Sequence, residues 1–411
     1  MSARRTGLPR DTRLLLGTRA ARSVGQGALI VAFALYLDAL GWGAPAIGAL
    51  FTAGLLFDAV LVIASGPLSD RFGRKRFLLC YECVQVVAAL LALSTAATPL
   101  LVLAALFGGF GRGANGSSGP FAPVELAWLS QPLAASARGS VYSLNMALGF
   151  GGMGLGALLA ATPTLFSTWL PGALSFRPLF GLVLIGALTC LLLISLARDR
   201  PPIFSTDSAQ SVQDDHDDNR RENSLLLRLM GINALNGVAI GLVGPLMAYW
   251  FALRFGQGPE DIGPVMALAY GVTAVSSIGA GRLVRRTGVV RAVVWMRSLG
   301  LVMLLLLPFM PSFWMAAVLH IARSALNRGS AGARQALTVS LVRPHRRGTA
   351  ASTGSAAIQL PRAAGPLFAG LFFGAGYLAT PFYIAAGFFA AYIYCYQRTF
   401  KAYDPNRNFP A

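Results

Sequence analysis

Apolar residues run along most of the chain in blocks of about 20, separated by short polar breaks, and that block length matches one helical crossing of a hydrocarbon core. Twelve such blocks can be drawn: 20–41, 45–66, 77–97, 100–127, 139–163, 176–197, 225–252, 260–283, 289–310, 312–339, 348–373 and 378–398. The breaks carry turn chemistry, as at Gly43-Ala44-Pro45, Thr98-Pro99, Pro308 to Pro311 and Thr380-Pro381. Several spans are rich in glycine, which lets helices approach closely in lipid. One stretch breaks the rhythm. Residues 198–224 are polar, with Asp214, Asp215, Asp217 and Asp218 beside Arg220 and Arg221, the composition of a flexible linker. The pattern predicts an all-α polytopic membrane protein of twelve transmembrane helices. It divides into an N-terminal six-helix half over 1–197, a linker over 198–224, a C-terminal six-helix half over 225–398 and a tail over 399–411.

Composition supports this. Of the 411 residues, 55% are hydrophobic and only 12% are charged, about half the usual share for a soluble domain. The mean hydropathy is +0.60. A soluble chain of this size has no way to hide so much apolar surface, so the composition argues against a soluble enzyme, a secreted binder and a disordered scaffold.

The charge changes the picture further. The excess of 34 Lys+Arg over 16 Asp+Glu gives a net +18, which by itself could signal nucleic acid. However, only Lys75 and Lys401 are lysines, and the arginines sit between apolar runs rather than in one stripe. They map a topology and predict no nucleic-acid partner. The N-terminus, the 2–3 loop (Arg71, Arg74, Lys75, Arg76), Arg138, the 8–9 loop (Arg285, Arg286), the 10–11 loop (Arg343, Arg346, Arg347) and the C-terminus (Arg398, Lys401, Arg407) fall on one side. The opposite loops hold chiefly Arg177 and Arg254. The positive-inside rule then places both termini and the linker in the cytoplasm, in a cytoplasmic (inner) membrane. The first 22 residues carry six arginines and no A-x-A-like site, so no cleaved signal is expected and the first span is retained.

The two halves repeat. Gly66-Pro-Leu-Ser-Asp-Arg-Phe-Gly-Arg-Lys-Arg76 aligns with Gly281-Arg-Leu-Val-Arg-Arg-Thr-Gly-Val-Val-Arg291. Gly116-Ser-Ser-Gly119 aligns with Gly329-Ser-Ala-Gly332, and Arg138-Gly139-Ser140 with Arg347-Gly348-Thr349. Three matches in one order at equivalent span boundaries point to duplication.

Residues 66–76 resemble the 2–3 loop signature of the major facilitator superfamily, G-x-L-a-D-r-x-G-r-k-r, with Ser69 where Ala is usual. Arg112-Gly-Ala-Asn-Gly116 resembles the superfamily's R-x-x-q-G signature on span 4, with Asn for Gln. The resemblance implies two pseudo-symmetric six-helix halves that rock about a central cavity, with substrate held near the midplane. It implies a cytoplasmic gate formed by Gly66, Asp70, Arg71, Gly73, Arg74 and Lys75, the two glycines allowing tight turns. It also implies that Glu125, at the cytoplasmic end of span 4, pairs with the basic residues of that loop. In the second copy Arg285 stands where Asp70 does, so the two gates should differ.

Ionisable groups inside a span cost roughly 2.5–3.5 kcal/mol or more at the centre and mark cavities by default. Arg112 lies near the middle of span 4, and Arg112, Asn115, Gly116 and Gly119 share a helical face by spacing. A cavity-facing Arg can hold an anionic substrate or modulate a neighbouring carboxylate; the alternative is a structural ion pair among spans 1, 2 and 4. Asp58, mid-span 2, and Asp38, near the outer end of span 1, are the candidate proton carriers, since a buried carboxylate holds its proton and an adjacent Arg releases it. Glu82, about two turns into span 3, belongs with the cytoplasmic charges. Spacing also aligns Arg323, Asn327, Ser330 and Arg334 on span 10, Ser352, Ser355, Gln359 and Arg362 on span 11, and Tyr142, Asn145, Gly149 and Gly152 on span 5. Such stripes line a cavity or join helices by hydrogen bonds. Asn233 and Asn236 are open between the same two roles. The candidate substrate set is Arg112, Asn115, Asn145, Arg323, Asn327, Gln359 and Arg362; its arginines and apolar surroundings suggest amphipathic cargo with some negative charge.

Cys80, Cys83, Cys190 and Cys395 all fall in apolar runs, so no disulfide framework is expected. Cys80-Tyr-Glu-Cys83 lacks a histidine partner, and no metal or other cofactor is expected. There is no G-x-x-x-x-G-K-[ST], which excludes ATP-driven transport within this chain. No cluster of His, Asp and Glu at one membrane face supports a membrane enzyme. The best reading is a secondary active transporter working by alternating access, exporting small drug-like or organic-anion compounds by proton antiport, as a monomer in the lipid bilayer. Gly149 to Gly156 lacks the proline of the antiporter signature on span 5, and Gly365-Pro366 sits on span 11. An uptake permease or anion exchanger therefore stays open, as does a non-transporting membrane sensor.

Overall fold

The computed structural model describes residues 8–113, 119–133, 135–198, 216–331, 334, 337 and 347–401. Among them are fifteen α-helices: α1 (Arg10–Ala39), α2 (Ala44–Phe72), α3 (Arg74–Ser94), α4 (Thr98–Gly108), α5 (Ala122–Ser130), α6 (Ala135–Leu159), α7 (Thr162–Phe166), α8 (Arg177–Leu196), α9 (His216–Val243), α10 (Met247–Phe255), α11 (Pro259–Thr287), α12 (Val289–Leu306), α13 (Phe313–Gly329), α14 (Arg347–Gly374) and α15 (Thr380–Phe400). No strand occurs among the described residues. Each of the twelve apolar blocks corresponds to a helix or a broken pair. Span 4 is α4 followed by α5, and span 7 is α9 followed by α10 across Gly244-Pro245. Among the described residues, seven helices are by length and composition apolar enough to cross a membrane on their own account. The others are shorter or diluted by Arg, Gln, Ser, Tyr and Pro, as in α14 and α15.

Local chemistry sets the ends. Proline occupies the first turn of α4, α8, α11 and α15, where its missing N–H costs no hydrogen bond. The 2–3 loop is shorter than the sequence suggests. α2 runs on to Phe72 and α3 starts at Arg74, leaving Gly73 as the whole break, at φ 85°. Gly66 therefore makes no turn; it lies within α2, because the intervening residues satisfy their backbone groups as helix. Gly288, which the repeat aligns with Gly73, is the whole break between α11 and α12, at φ 86°. The repeat is thus visible as two one-residue corners that require left-handed backbone, which glycine adopts at little steric cost.

The described residues fall into two compact units, one within Met1–Leu40 and Phe57–Ile203, the other within Gly41–Leu56 and Phe204–Ala411. In the first, α1 packs along α6 and α8. A Cβ on Gly27 would strike the Met153 backbone, and one on Gly156 would strike the Val24 carbonyl, so α1 and α6 meet backbone to backbone. The apolar core at one end of this unit joins Leu15, Leu78, Phe121, Trp128, Cys190 and Ile194. In the second, α9 packs along α14 through Gly237, Gly241 and Gly365. The start of α2 belongs to this unit. Gly48 lies against the Pro366 carbonyl and Gly370 against the Ala44 carbonyl, and Thr52 Oγ1 accepts from the Leu367 N–H at 2.9 Å. A second core joins Leu229, Ile232, Val290, Val293, Tyr392 and Tyr396.

These close crossings make a sharp expectation. Gly156→Val and Gly365→Val should each lower the thermal midpoint by several degrees or abolish folded protein, since overpacking costs about 1–3 kcal/mol or more. Gly387→Ala, where a Cβ meets nothing within 4 Å, should leave it unchanged. Unfolding in detergent followed by tryptophan fluorescence distinguishes the two classes; equal midpoints for all three would contradict the packing.

Candidate functional site

The first unit holds two clusters of buried charge. The first is built on a helix break. α4 ends at Gly108, and Gly109, Gly111 and Gly113 follow at φ 69°, 73° and 89°. Three left-handed residues so close together cannot continue a right-handed helix. Arg112 therefore stands on the break and not on a helical face. Gly119, at φ 100°, is not helical either, so Arg112 and Gly119 share no helical face; Asn115 and Gly116 lie outside the described residues. The reason is the glycine spacing, which outweighs the helical periodicity.

From the break, the Arg112 guanidinium folds back over the end of α4. Its Nη2 donates to the Leu106 carbonyl at 2.6 Å and, at 3.4 Å, to the Ala105 carbonyl. The Leu106 carbonyl is one that a helix C-terminus leaves without an intrahelical partner, while the Ala105 carbonyl also accepts from the Gly109 N–H at 3.0 Å; a cation there also complements the helix dipole. A Cβ at Gly109 would lie 2.9 Å from Arg112 Nη2, so glycine is needed there for space as well as for φ. The other arm reaches α2: Nη1 donates to Asp58 Oδ1 at 2.6 Å. Arg112 is 5% exposed. The ion pair between spans 2 and 4 is the alternative that the sequence left open for Arg112.

The second cluster centres on Arg22 of α1. It donates to Glu125 of α5 at 2.5 Å and to Glu82 of α3, with its guanidinium also 5.6 Å from the centre of the Tyr81 ring. Glu82 is fully buried. Glu125 was expected to pair with the basic 2–3 loop, and the structure corrects this: its partner is Arg22, one helix away. Lys75 takes another course, donating to the Ser195 and Ala197 carbonyls at 2.7 Å each, at the C-terminus of α8. Arg71 is exposed over the Phe72 ring, and Arg74 is half-buried. Both flank the Gly73 corner. Asp70 lies in α2, and its side chain is outside the described residues.

In the second unit, Arg362 of α14 is buried and donates to Gln359 at 3.4 Å. Arg323 of α13 is buried with its guanidinium carbon 6.0 Å from the centre of the Phe389 ring on α15. Asn327 points at Gly300 of α12, whose missing side chain makes room for its amide, so it serves helix packing. Asn233 donates to the Gly354 carbonyl at 3.4 Å, also across helices. Asn145 is half-buried on α6 and Asp38 is exposed at the end of α1.

Sequence reasoning passed over three of these arginines. Arg22 looked like one more topological arginine at the start of span 1. Arg297, in the run Val293-Val294-Trp295-Met296-Arg297, is buried on α12. Arg328 stacks on Tyr270 at 5.0 Å. The signal that could have found Arg297 was the rule already applied to Arg112: an ionisable group inside an apolar run.

The family model described as Major Facilitator Superfamily matches residues 15–222 and 229–410. Among solved structures, the fold is similar to that of a bacterial homologue of the human lysosomal transporter Spinster, in an inward-facing and unoccupied conformation. The two share 14% identity with a TM-score of 0.74, covering 98% of this chain and 100% of that one. It is also similar to a D-xylose-proton symporter, at 15% identity and TM-score 0.73, covering 93% of this chain and 96% of the other. A nucleoside transporter gives 12% identity and TM-score 0.73 over 95% of this chain and all of its own. No curated protein matches.

The Arg22 cluster predicts its own energetics. Arg22→Ala leaves two buried carboxylates without their shared cation and should cost about 3–5 kcal/mol, the penalty for breaking a buried pair from one side. Glu82→Gln should cost less, because a neutral amide still accepts from Arg22. Unfolding midpoints of the two variants check the order; a smaller loss for Arg22→Ala would contradict it.

Proposed function

This chain belongs to the Major Facilitator Superfamily, a family of multi-pass membrane transporters, and we propose that it exports small organic compounds by proton antiport through alternating access. It works as a monomer in a cytoplasmic (inner) membrane with both termini in the cytoplasm, and the positive-inside distribution of its arginines supports that orientation.

The observation that carries the coupling is the part-buried Arg112–Asp58 pair at the glycine break. In a medium of low dielectric constant such a pair is held tightly, while breaking it from one side is costly. A proton arriving on the Asp58 carboxylate neutralises it and removes the attraction. Arg112 then keeps its hydrogen bonds to the Leu106 and Ala105 carbonyls, and α2 is released from the break after α4. When the proton leaves on the cytoplasmic side, the pair re-forms. Proton occupancy thus biases one arrangement of α2 and α4 over another, and a ligand shifts a conformational equilibrium only through such differential binding. The organic compound is carried with Asp58 ionised, and the proton drives the return.

A second reading, uptake or anion exchange on the same fold, draws support from the second unit, where buried arginines meet aromatic rings. It keeps the anionic cargo and changes the direction.

Proteoliposomes with an imposed pH gradient test the proposal, with carboxyfluorescein as an anionic probe and ethidium as a cationic one. Arg112→Ala and Asp58→Asn should each reduce gradient-driven flux by roughly 5–150-fold, the range of an ordinary coupling free energy. Flux surviving both substitutions would refute the site.

A further inference from the structure

We propose that the second unit carries a binding site for the oxyanion of an organic acid, a carboxylate or phosphate, formed by Arg297 of α12 and Arg323 of α13 around Phe389 and Tyr392 of α15. The inference rests on the transporter reading and names its substrate class.

The two guanidinium carbons lie 5.7 Å and 6.0 Å from the centre of the Phe389 ring, and that of Arg297 lies 5.5 Å from the Tyr392 ring. Both arginines are more than nine-tenths buried, at 3% and 8% exposure, and so are the two rings. Among the described residues neither arginine forms an ion pair or a hydrogen bond. Their Nε atoms and the Tyr392 hydroxyl are buried without partners. A third cation, Arg334, lies within electrostatic reach of Arg297.

The contrast with the first unit is chemical. There Arg22 and Arg112 each meet carboxylates. Here the same kind of buried cation meets only the faces of aromatic rings. A cation–π contact contributes about 0.5–2 kcal/mol, whereas removing a guanidinium from water costs several kcal/mol. Ring faces also leave the donor edge of a guanidinium unused, since they attract the cation without accepting its N–H groups in line. Two forked donors over one ring, with the Tyr392 ring under one of them, match the oxygens of a carboxylate or phosphate, which arginine binds two at a time. The surrounding apolar helices suit the organic body of such a ligand.

The test uses the full chain in nanodiscs, with benzoate and inorganic phosphate as separate probes against sodium chloride at equal ionic strength. A ligand that binds the folded state alone raises its midpoint. We expect wild type to rise by about 1–2 °C with benzoate, phosphate or both, since the midpoint of a chain this size moves by roughly 1 °C per kcal/mol. A rise with benzoate alone assigns the site to carboxylates, and a rise with phosphate alone to phosphates. Arg297→Gln removes a buried charge that lacks a carboxylate partner. It should therefore be at least as stable as wild type in chloride and lose the anion response, while Arg297→Lys should keep a weakened response. Arg323→Gln should behave as Arg297→Gln does and serves if that variant does not fold. The proposal falls if neither probe shifts wild type, if the glutamine variant still responds, or if it is less stable in every salt. Dye flux separates the two readings. Gradient-driven flux without any anion response sinks this site and spares the transporter reading. An anion response in a protein that moves neither dye keeps the site and sinks proton-coupled export.

Discussion

A charge inside hydrocarbon has to be matched by something other than water, and this constraint organises the buried chemistry of the chain. Arg362 meets the Gln359 side chain; Arg22, Arg112, Arg297, Arg323 and Arg328 are answered within their own unit, in one of three ways. Carboxylates answer Arg112 and Arg22. Carbonyls at a helix end answer the second arm of Arg112, and outside the apolar spans they answer Lys75 as well. Ring faces answer Arg297, Arg323 and Arg328. The three are not equivalent. A carboxylate can be switched by a proton, a carbonyl cannot, and a ring face leaves the cation able to take an anion. The division of labour proposed between the units follows from that difference.

Glycine supplies the other half of the design. Where Gly27, Gly156, Gly241 and Gly365 sit, neighbouring helices meet at the backbone, so the packing that fixes the spans does not depend on large side chains. Where Gly73, Gly109 and Gly288 sit, helices end or turn in one residue. The break after α4 serves both purposes. It stops the helix in the apolar span, exposing carbonyls that need a donor, and it delivers Arg112 as that donor and as the partner of Asp58. The strain-free left-handed glycines and the ion pair are therefore one device.

Much of the fold was legible in the sequence. Block length gives the spans, and the Gly73 and Gly288 motifs give the repeat and family. The sites were legible only in part. Asp58 and Arg112 stood out as charges in apolar runs, but nothing in a linear sequence joins residues 54 positions apart. The helical spacing of Arg112 and Gly119 misled because periodicity assumes a continuous helix, and three glycines with positive φ remove that assumption. Glu125 was assigned to the basic loop by analogy, whereas a tight corner at Gly73 leaves Lys75 directed at α8 and leaves Arg22 for Glu125. Arg297 obeyed the same rule as Arg112, at the middle of α12, and the rule was applied to the one and not to the other.

The central claim is that Asp58 carries the proton while the cargo is carried elsewhere. Net transport driven by a pH gradient needs the proton step; exchange of labelled for unlabelled cargo across the same membrane does not. Measuring both for carboxyfluorescein in proteoliposomes of Asp58→Asn tests the claim most directly. The account predicts that gradient-driven transport is lost while exchange continues at a rate close to that of the wild type. Loss of both in equal proportion, in a variant whose thermal midpoint is unchanged, would contradict it.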